Sequence, residues 1–180
     1  MEKVAHEIRT FGDPVLKSRA APVKDFDESL KQLAEDMKRI MYEAEGAGLA
    51  ANQIGRLKRI FVAAYEHDGE IREFVVVNPV IEERSETQEK DMEGCLSIPG
   101  IGVEVERPLA VTLTGQDLLG APLRVEAEGR LARIFQHEID HLDGILMLDR
   151  TDRESRKNAM REMRERLLAG PLEHFRPRRP

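Results

Sequence analysis

Apolar residues recur at helical spacing near the start of the chain, in the segment DESLKQLAEDMKRIMYEAEG. Residues three or four positions apart lie on one face of a helix, so this segment predicts an amphipathic helix. Asp27 is its predicted N-cap, and Gly46 follows its predicted end. The predicted buried face consists of Leu30, Leu33, Ala34, Met37, Met41 and Ala44.

The spacing changes to that of β-strands in the middle of the chain. Residues 59–83 predict two strands joined by a turn at residues 67–69. Residues 103–129 predict three more strands, with Pro108 between the first two and a turn near Gly120 before the last. Strands that follow one another without intervening helices predict antiparallel pairing.

Helical spacing returns in the last third of the chain. One predicted helix contains the sequence HEIDH and ends at Gly144, and a final helix runs from about Asp152 to Ala169. The apolar positions of the first are Leu131, Ile134, Phe135 and Leu142, and those of the second are Ala159, Met160, Met163 and Leu167.

These elements predict the α+β fold class: an antiparallel sheet around a central HEIDH helix, with an N-terminal helix and a C-terminal helix. A chain of 180 residues has the length of one domain, and no internal repeat or linker divides it. We therefore expect a single domain over residues 1–180, in which residues 152–180 form a basic C-terminal helix and tail.

The composition of the chain predicts its cellular location. No apolar run approaches the ~20 residues that span a bilayer, and the N-terminus lacks the apolar core of a secretory signal. The only cysteine is Cys95, so no intramolecular disulfide can form. These features predict a cytoplasmic protein without a membrane partner.

The net charge of −6 is unevenly distributed. The first 152 residues hold 19 basic and 30 acidic residues, a net charge of −11, whereas residues 153–180 hold nine basic and four acidic residues, a net charge of +5. A basic tail favours a polyanion such as RNA as a partner, although a solvated helix face has the same composition.

The sequence HEIDH indicates a metal site. His137 and His141 are four residues apart, so on a helix their side chains lie on one face and can hold one ion together. Glu138 lies beside them, close enough to exchange a proton with a water molecule on that ion. Two histidines do not complete a site, so a third ligand must come from elsewhere in the chain.

Several residues are candidates for this third ligand. One protease pattern continues from HEIDH to a third histidine, but Met147 occupies that position. Other proteases use a downstream glutamate, for which Glu154, Glu162 and Glu165 are available. Cys95, in EGCLSIPG, is the remaining candidate, and a Cys-His-His set leaves the fourth tetrahedral position open, as in catalytic metal sites.

The glycine-rich segment GAGLAANQIG, residues 46–55, fits part of the dinucleotide fingerprint. That fingerprint belongs between a strand and a helix, whereas this segment follows a predicted helix and precedes a predicted strand. We therefore expect no nucleotide cofactor. The glycines instead indicate a backbone that passes close to another group, and Gln53 offers an amide that can stabilise an oxyanion.

Together, GAGLAANQ, EGCLS and QHEIDH resemble the three signature motifs of the peptide deformylases, in the same order and without gaps. The resemblance extends from IRTFGDPVLKSRAAPV to HLDGILMLDR and so covers most of the chain. It implies a catalytic domain that removes the N-formyl group from the N-terminal methionine of newly synthesised proteins and releases formate. It also implies Fe²⁺ as the cofactor, with Zn²⁺, Ni²⁺ or Co²⁺ as substitutes, and a basic C-terminal helix that docks near the ribosomal exit tunnel.

The resemblance also implies a role for each residue carried over from the three motifs. These roles are metal ligation by Cys95, His137 and His141, proton transfer by Glu138, oxyanion stabilisation by Gln53 and the backbone N–H of Leu96, and contact with the substrate backbone by Gly48.

The chain departs from the family pattern at three positions. Many relatives have an arginine seven residues after the cysteine, where this chain has Gly102. Arg130 and Arg133 stand on the HEIDH helix, where some relatives have apolar residues near the methionine pocket.

Two other functions remain open from the residues alone. One is a zinc endopeptidase that uses HEIDH and a downstream glutamate. The other is a metal-stabilised binding module that docks RNA or the ribosome through the basic tail.

Overall fold

The computed structural model describes residues 8–168, which form three α-helices and seven β-strands. The helices are α1 (Glu28–Glu43), α2 (Gly129–Leu142) and α3 (Arg153–Leu168). The strands are β1 (Gly48–Ala50), β2 (Ile60–His67), β3 (Glu70–Arg84), β4 (Gln88–Cys95), β5 (Ile98–Pro108), β6 (Ala110–Gln116) and β7 (Pro122–Glu128). None of the helices within residues 8–168 has the length and apolar character needed to cross a membrane.

The α+β class and the antiparallel pairing predicted from the sequence are confirmed. Strands β1, β2, β3, β6 and β7 form one antiparallel sheet in the spatial order β1-β2-β3-β6-β7. The predicted turns at residues 67–69 and near Gly120 join β2 to β3 and β6 to β7. Asp27 is the N-cap of α1, where its side chain accepts a hydrogen bond from the backbone N–H of Leu30 at 3.1 Å.

The five-stranded sheet lies between two helices because its central strands are apolar on both faces. In β2, Phe61 packs in the same cluster as Phe135 of α2, whereas its neighbour Val62 packs in the same cluster as Met37 of α1. Adjacent side chains of a strand point to opposite faces, so each face receives one helix. The HEIDH motif on α2 is thereby held against the sheet.

The sequence predicted one antiparallel sheet, but the strands form two separate sheets. Strands β4 and β5 form a separate two-stranded hairpin. The inward residues of β5, among them Ile101, Val103 and Val105, pack with Leu16 and Leu148 in a third cluster. Helix α2 contacts strands of both sheets and so lies between them.

The predicted apolar seam of the C-terminal helix is only partly correct. Ala159 is buried and Met163 packs against the third cluster, but Met160 is 40% exposed and Leu167 is 82% exposed. Helix α3 therefore docks through a short stretch near its middle. The predicted last residue of this helix, Ala169, lies outside the described residues.

Gly144, which ends the HEIDH helix, provides a test of this packing. Its φ is +74°, and an added Cβ would lie 2.5 Å from the carbonyl oxygen of Lys17. We expect Gly144→Ala to lower the free energy of unfolding by more than about 1 kcal/mol, as measured by urea denaturation. Gly69 is the matched control, because its φ of +79° imposes the same backbone strain while no atom of the described residues lies within 4 Å of an added Cβ. Equal losses in both variants would contradict the proposed clash.

Candidate active site

The hairpin of β4 and β5 places Cys95 at its turn. Cys95 is the last residue of β4 and pairs with Ile98, so Leu96 and Ser97 form a two-residue turn between the strands. Ser97 is fully buried, whereas the Cys95 and Leu96 side chains are partly exposed. The EGCLS motif is therefore a tight β-turn that presents a thiol and a backbone segment together.

Helix α2 brings two histidines to this thiol. The Nε2 atom of His141 lies 3.2 Å from Sγ of Cys95 and 3.2 Å from Nε2 of His137. All three potential ligand atoms lie within 4.8 Å of one another. The completely buried Asn52, in the turn after β1, donates a hydrogen bond through Nδ2 to the carbonyl oxygen of His141 and so fixes this end of the helix.

These three donors fit a divalent metal ion. A thiolate and two imidazole nitrogens are the ligands that Zn²⁺ and similar ions prefer, and ligand bonds of about 2.0–2.3 Å are compatible with donor atoms about 3–4 Å apart. Among the described residues, Cys95, His137 and His141 are the group whose ligand atoms lie close enough to hold one metal ion. The downstream glutamates considered as third ligand, Glu154, Glu162 and Glu165, lie on exposed positions of α3 and do not belong to it.

Glu138 lies next to the cluster in a site with little solvent. Its side chain is 4% exposed, and its Oε2 atom has no hydrogen-bond partner among the described residues. A Cβ added at Gly48 would lie 2.8 Å from the Glu138 carboxyl carbon. Strand β1 therefore passes so close to Glu138 that only glycine fits at this position, which is the close backbone approach predicted for GAGLAANQIG.

The Gln53 side chain is held with its amide nitrogen toward the cluster. Its Oε1 accepts a hydrogen bond from the backbone N–H of Ala50 at 2.9 Å, and its Nε2 donates to Oγ of Ser97 at 3.1 Å. The same nitrogen lies 3.8 Å from Sγ of Cys95. Because the oxygen is occupied by a backbone donor, the amide orientation is defined and an N–H group faces the site.

A buried carboxylate, which the sequence reasoning did not single out, supports His137. Oε2 of Glu93 lies 2.9 Å from Nδ1 of His137. The same carboxylate accepts two hydrogen bonds from Arg107, at 2.5 and 2.9 Å, and Arg107 also donates to Asp140 of α2 at 2.8 Å. A carboxylate on the second ring nitrogen of a metal-binding histidine fixes its tautomer and orientation.

The sequence contained a signal for this network. Along β5, buried residues alternate with exposed ones, and Arg107 continues the buried series after Val103 and Val105. An arginine on the apolar face of a strand requires a buried partner, since an unpaired buried charge is costly. Glu93, in the first position of EGCLS, is that partner.

The electrostatics of the cluster follow from burial and these contacts. Burial by itself would raise the pKa of Glu93, but hydrogen bonds from Arg107 and His137 lower it well below its usual range. Burial raises the pKa of Glu138 to about 7. Burial also lowers the pKa of His141 well below its usual value, which favours the neutral imidazole that a metal requires.

The structure locates the three departures from the family pattern. Gly102 is exposed on β5, where an added Cβ would lie 3.0 Å from the terminal carbon of Met92. Arg130 is exposed and lines a groove together with Ala47. Arg133, in contrast, is only 8% exposed and points into the buried network of Glu93.

The sequence model of the polypeptide deformylase family matches residues 5–157 of the chain. The chain belongs to the polypeptide deformylase family. Members of this family are hydrolases that remove the N-formyl group from newly synthesised peptides, and this is the activity of the chain. The family is a metalloenzyme family, in agreement with the Cys-His-His group of this structure.

Relatives and solved structures agree with this family membership. The chain is 52% identical over 155 residues to peptide deformylase 1 of Corynebacterium efficiens, covering 86% of this chain and 91% of the relative. The crystal structure of peptide deformylase from Thermus thermophilus has a TM-score of 0.83 and 46% identity, covering 91% of this chain and 95% of that one. A Plasmodium falciparum peptide deformylase structure has a TM-score of 0.82 and 36% identity, covering 90% and 95%.

The buried network predicts a large stability effect at Glu93. Glu93→Gln leaves the shape of the side chain but removes the charge that Arg107 requires, and we expect a loss of about 3 kcal/mol in the free energy of unfolding. The control Glu83→Gln removes an exposed carboxylate that also faces an arginine, Arg124, at 3.7 Å, and should change stability by less than about 1 kcal/mol. Urea denaturation of both variants measures the difference, and similar values for the two would argue against a buried ion network.

Proposed function

We propose that Cys95, His137 and His141 hold one divalent metal ion and that Glu138, Gln53 and Leu96 act around it to hydrolyse the formyl amide of an N-formyl-methionyl peptide. The observation that carries this proposal is the meeting of one sulfur and two imidazole nitrogens beside a buried carboxylate. When bound, the ion supplies Lewis acidity, which activates water and withdraws electrons from a carbonyl group.

The identity of the ion is proposed as Fe²⁺. The ligand types alone favour Zn²⁺ over Fe²⁺ in the usual order of affinities, so iron rests on the family resemblance. We expect Zn²⁺, Ni²⁺ or Co²⁺ to replace iron in protein purified in air.

Glu138 is the proposed proton carrier. Its carboxylate lies beside the proposed ligand His137 in the chain and has one oxygen without a partner among residues 8–168, so that oxygen is free to accept the proton of the attacking water. The same group then returns the proton to the leaving amine, which would otherwise depart as an unstable anion. The products are formate and a free N-terminus.

Gln53 and Leu96 are the proposed donors to the oxygen of the tetrahedral intermediate. Support comes from the fixed orientation of the Gln53 amide, 3.8 Å from the ligand sulfur, and from the position of Leu96 directly after that ligand in a tight turn. Removal of one such donor typically costs about 3 kcal/mol of transition-state stabilisation. Gly48, on the strand that faces Glu138, is proposed to contact the peptide backbone.

The closed surroundings of Glu138 support selectivity for the formyl group. A formyl carbon carries only hydrogen, whereas an acetyl carbon carries a methyl group. Gly46 and Gly48 lie so close to Leu96 and Glu138 that added methyl groups would collide with these side chains. A site packed this tightly is expected to exclude acetylated peptides by steric bulk.

We further propose a cytoplasmic enzyme that meets its substrate near the ribosomal exit tunnel. Support comes from α3, which docks through Ala159 and Met163 and leaves most of its basic side chains exposed. We also propose that the chain is one catalytic domain, because the family match spans residues 5–157 and α3 packs against β5.

The direct test is an assay with three substrates: a formyl-Met peptide, the matched acetyl-Met peptide and an unblocked protein. We expect formate release from the first alone, with Fe²⁺- or Ni²⁺-loaded protein and no internal cleavage of the third. Cleavage of the unblocked protein would support the endopeptidase alternative, and no turnover with either metal would support the binding module.

Glu138→Gln tests the proton carrier, because the amide keeps the shape of the side chain but cannot accept a proton. We expect at least a ~100-fold loss of kcat, in keeping with the usual ~10²–10⁴-fold effect of general acid-base groups, with metal content unchanged by atomic absorption. Glu128→Gln is the control, since Glu128 is exposed and makes no capping hydrogen bond at the start of α2. Substantial residual activity in Glu138→Gln would remove Glu138 from its role.

A further inference from the structure

We propose that Arg133 is a positioning residue of the metal site, which clamps Glu93 and thereby holds the ligand on the helix in register with the ligand on the hairpin. The proposal rests on the metal site proposed above. It assigns a role to one of the departures from the family pattern, an arginine where some relatives have an apolar residue.

Arg133 makes three hydrogen bonds through its guanidinium in the protein interior. Nη1 donates to Oε1 of Glu93 and to the carbonyl oxygen of Val105, both at 2.9 Å, and Nη2 donates to the carbonyl oxygen of Glu89 at 2.8 Å. The side chain is 9% exposed and its partner Glu93 is 3% exposed. A planar guanidinium with several fixed acceptors defines a geometry that a lysine cannot reproduce.

The contacts join the three elements that build the site. Glu89 and Glu93 belong to β4, which ends in the ligand Cys95, and Val105 belongs to β5. Arg133 itself lies one helical turn before His137 on α2, so its side chain leaves the helix on the same face as this ligand. The guanidinium therefore links helix α2 directly to the hairpin of β4 and β5 through hydrogen bonds.

Arg133 also completes the bonding of the Glu93 carboxylate. Oε1 of Glu93 accepts from Arg133 and from Nε of Arg107, while Oε2 accepts from Nη2 of Arg107 and faces Nδ1 of His137. Arg107 also bonds Asp140, and this bond restricts how far the Arg107 guanidinium can move with Glu93. With both arginines bonded to it, the Glu93 carboxylate is held from two sides. Its Oε2 atom is then fixed toward Nδ1 of His137.

The proposal predicts that loss of Arg133 changes the rate of metal release in addition to the free energy of unfolding. Arg133 does not contact the ligand atoms, so its loss should leave the metal bound but less firmly held. Outer-shell partners of metal-binding histidines typically change metal affinity or activity by about 10–100-fold. A merely structural arginine would lower stability without changing how fast the metal leaves.

The test compares Arg133→Met and Arg133→Lys with Arg59→Met. Arg59 is a matched control, because it is also mostly buried and bonds one carboxylate, Asp143 at 2.7 Å, and one backbone carbonyl, that of Pro79. Each protein is loaded with Co²⁺, and three quantities are measured: metal release to excess chelator, the visible Co²⁺ spectrum and the free energy of unfolding. The spectrum reports the arrangement of the sulfur and nitrogen ligands independently of turnover.

We expect Arg133→Met to release Co²⁺ at least about 10-fold faster than the wild-type protein, with a changed spectrum. Arg133→Lys should be intermediate, since a single ammonium can reach Glu93 but cannot bond all three acceptors. Arg59→Met should lose stability and yet release the metal at the wild-type rate. Wild-type release and an unchanged spectrum in folded Arg133→Met would overturn the proposal.

Two further outcomes are also decisive. If Arg133→Met does not fold, Arg133→Lys is compared with Arg59→Lys, and faster release in the former alone supports the proposal whereas equal release overturns it. If the wild-type protein binds no stoichiometric divalent ion, the metal site itself is refuted and the role of Arg133 with it. Loss of the proposed function is therefore distinguished from loss of this inference.

Discussion

The site depends on one buried carboxylate. Glu93 faces the ring nitrogen of His137 while it bonds Arg107 and Arg133, and it lies on the strand that ends in Cys95. Two of the proposed metal ligands come from a helix and one comes from a hairpin distant in the sequence, so an interaction must fix the distance between these elements. A charged group in the interior can do this because its directional bonds have no solvent to replace them.

The same constraint explains the pairing of charges around the site. A buried carboxylate without cations would be protonated or would destabilise the fold, and a buried arginine without a carboxylate would be equally costly. The buried carboxylates of Glu93 and Asp140 face the buried Arg107 and Arg133, and the partly exposed Arg150 also bonds Asp140. The network thus supports the histidine without leaving a buried charge unpaired.

Close packing of the backbone against helix α2 completes the candidate active site. Strand β1 passes beside Glu138 at Gly48, and the turn after it fixes Gln53 through Ala50 and Ser97. The three short motifs thus correspond to β1 with the turn after it, the end of β4 with its hairpin turn, and helix α2, which meet at one site.

Sequence alone determined the features that depend on local spacing: the extent of α1, the end of α2, most strands, and the motif residues that the structure brings together. Local spacing reports which face of an element is apolar, but it does not report which element covers that face. Tertiary structure alone decided the division into two sheets, the exposure of Leu167 and the partnership of Glu93 with Arg107 and Arg133. The physical reason is that burial and ion pairing arise between residues distant in the chain, whose separation no periodic pattern encodes.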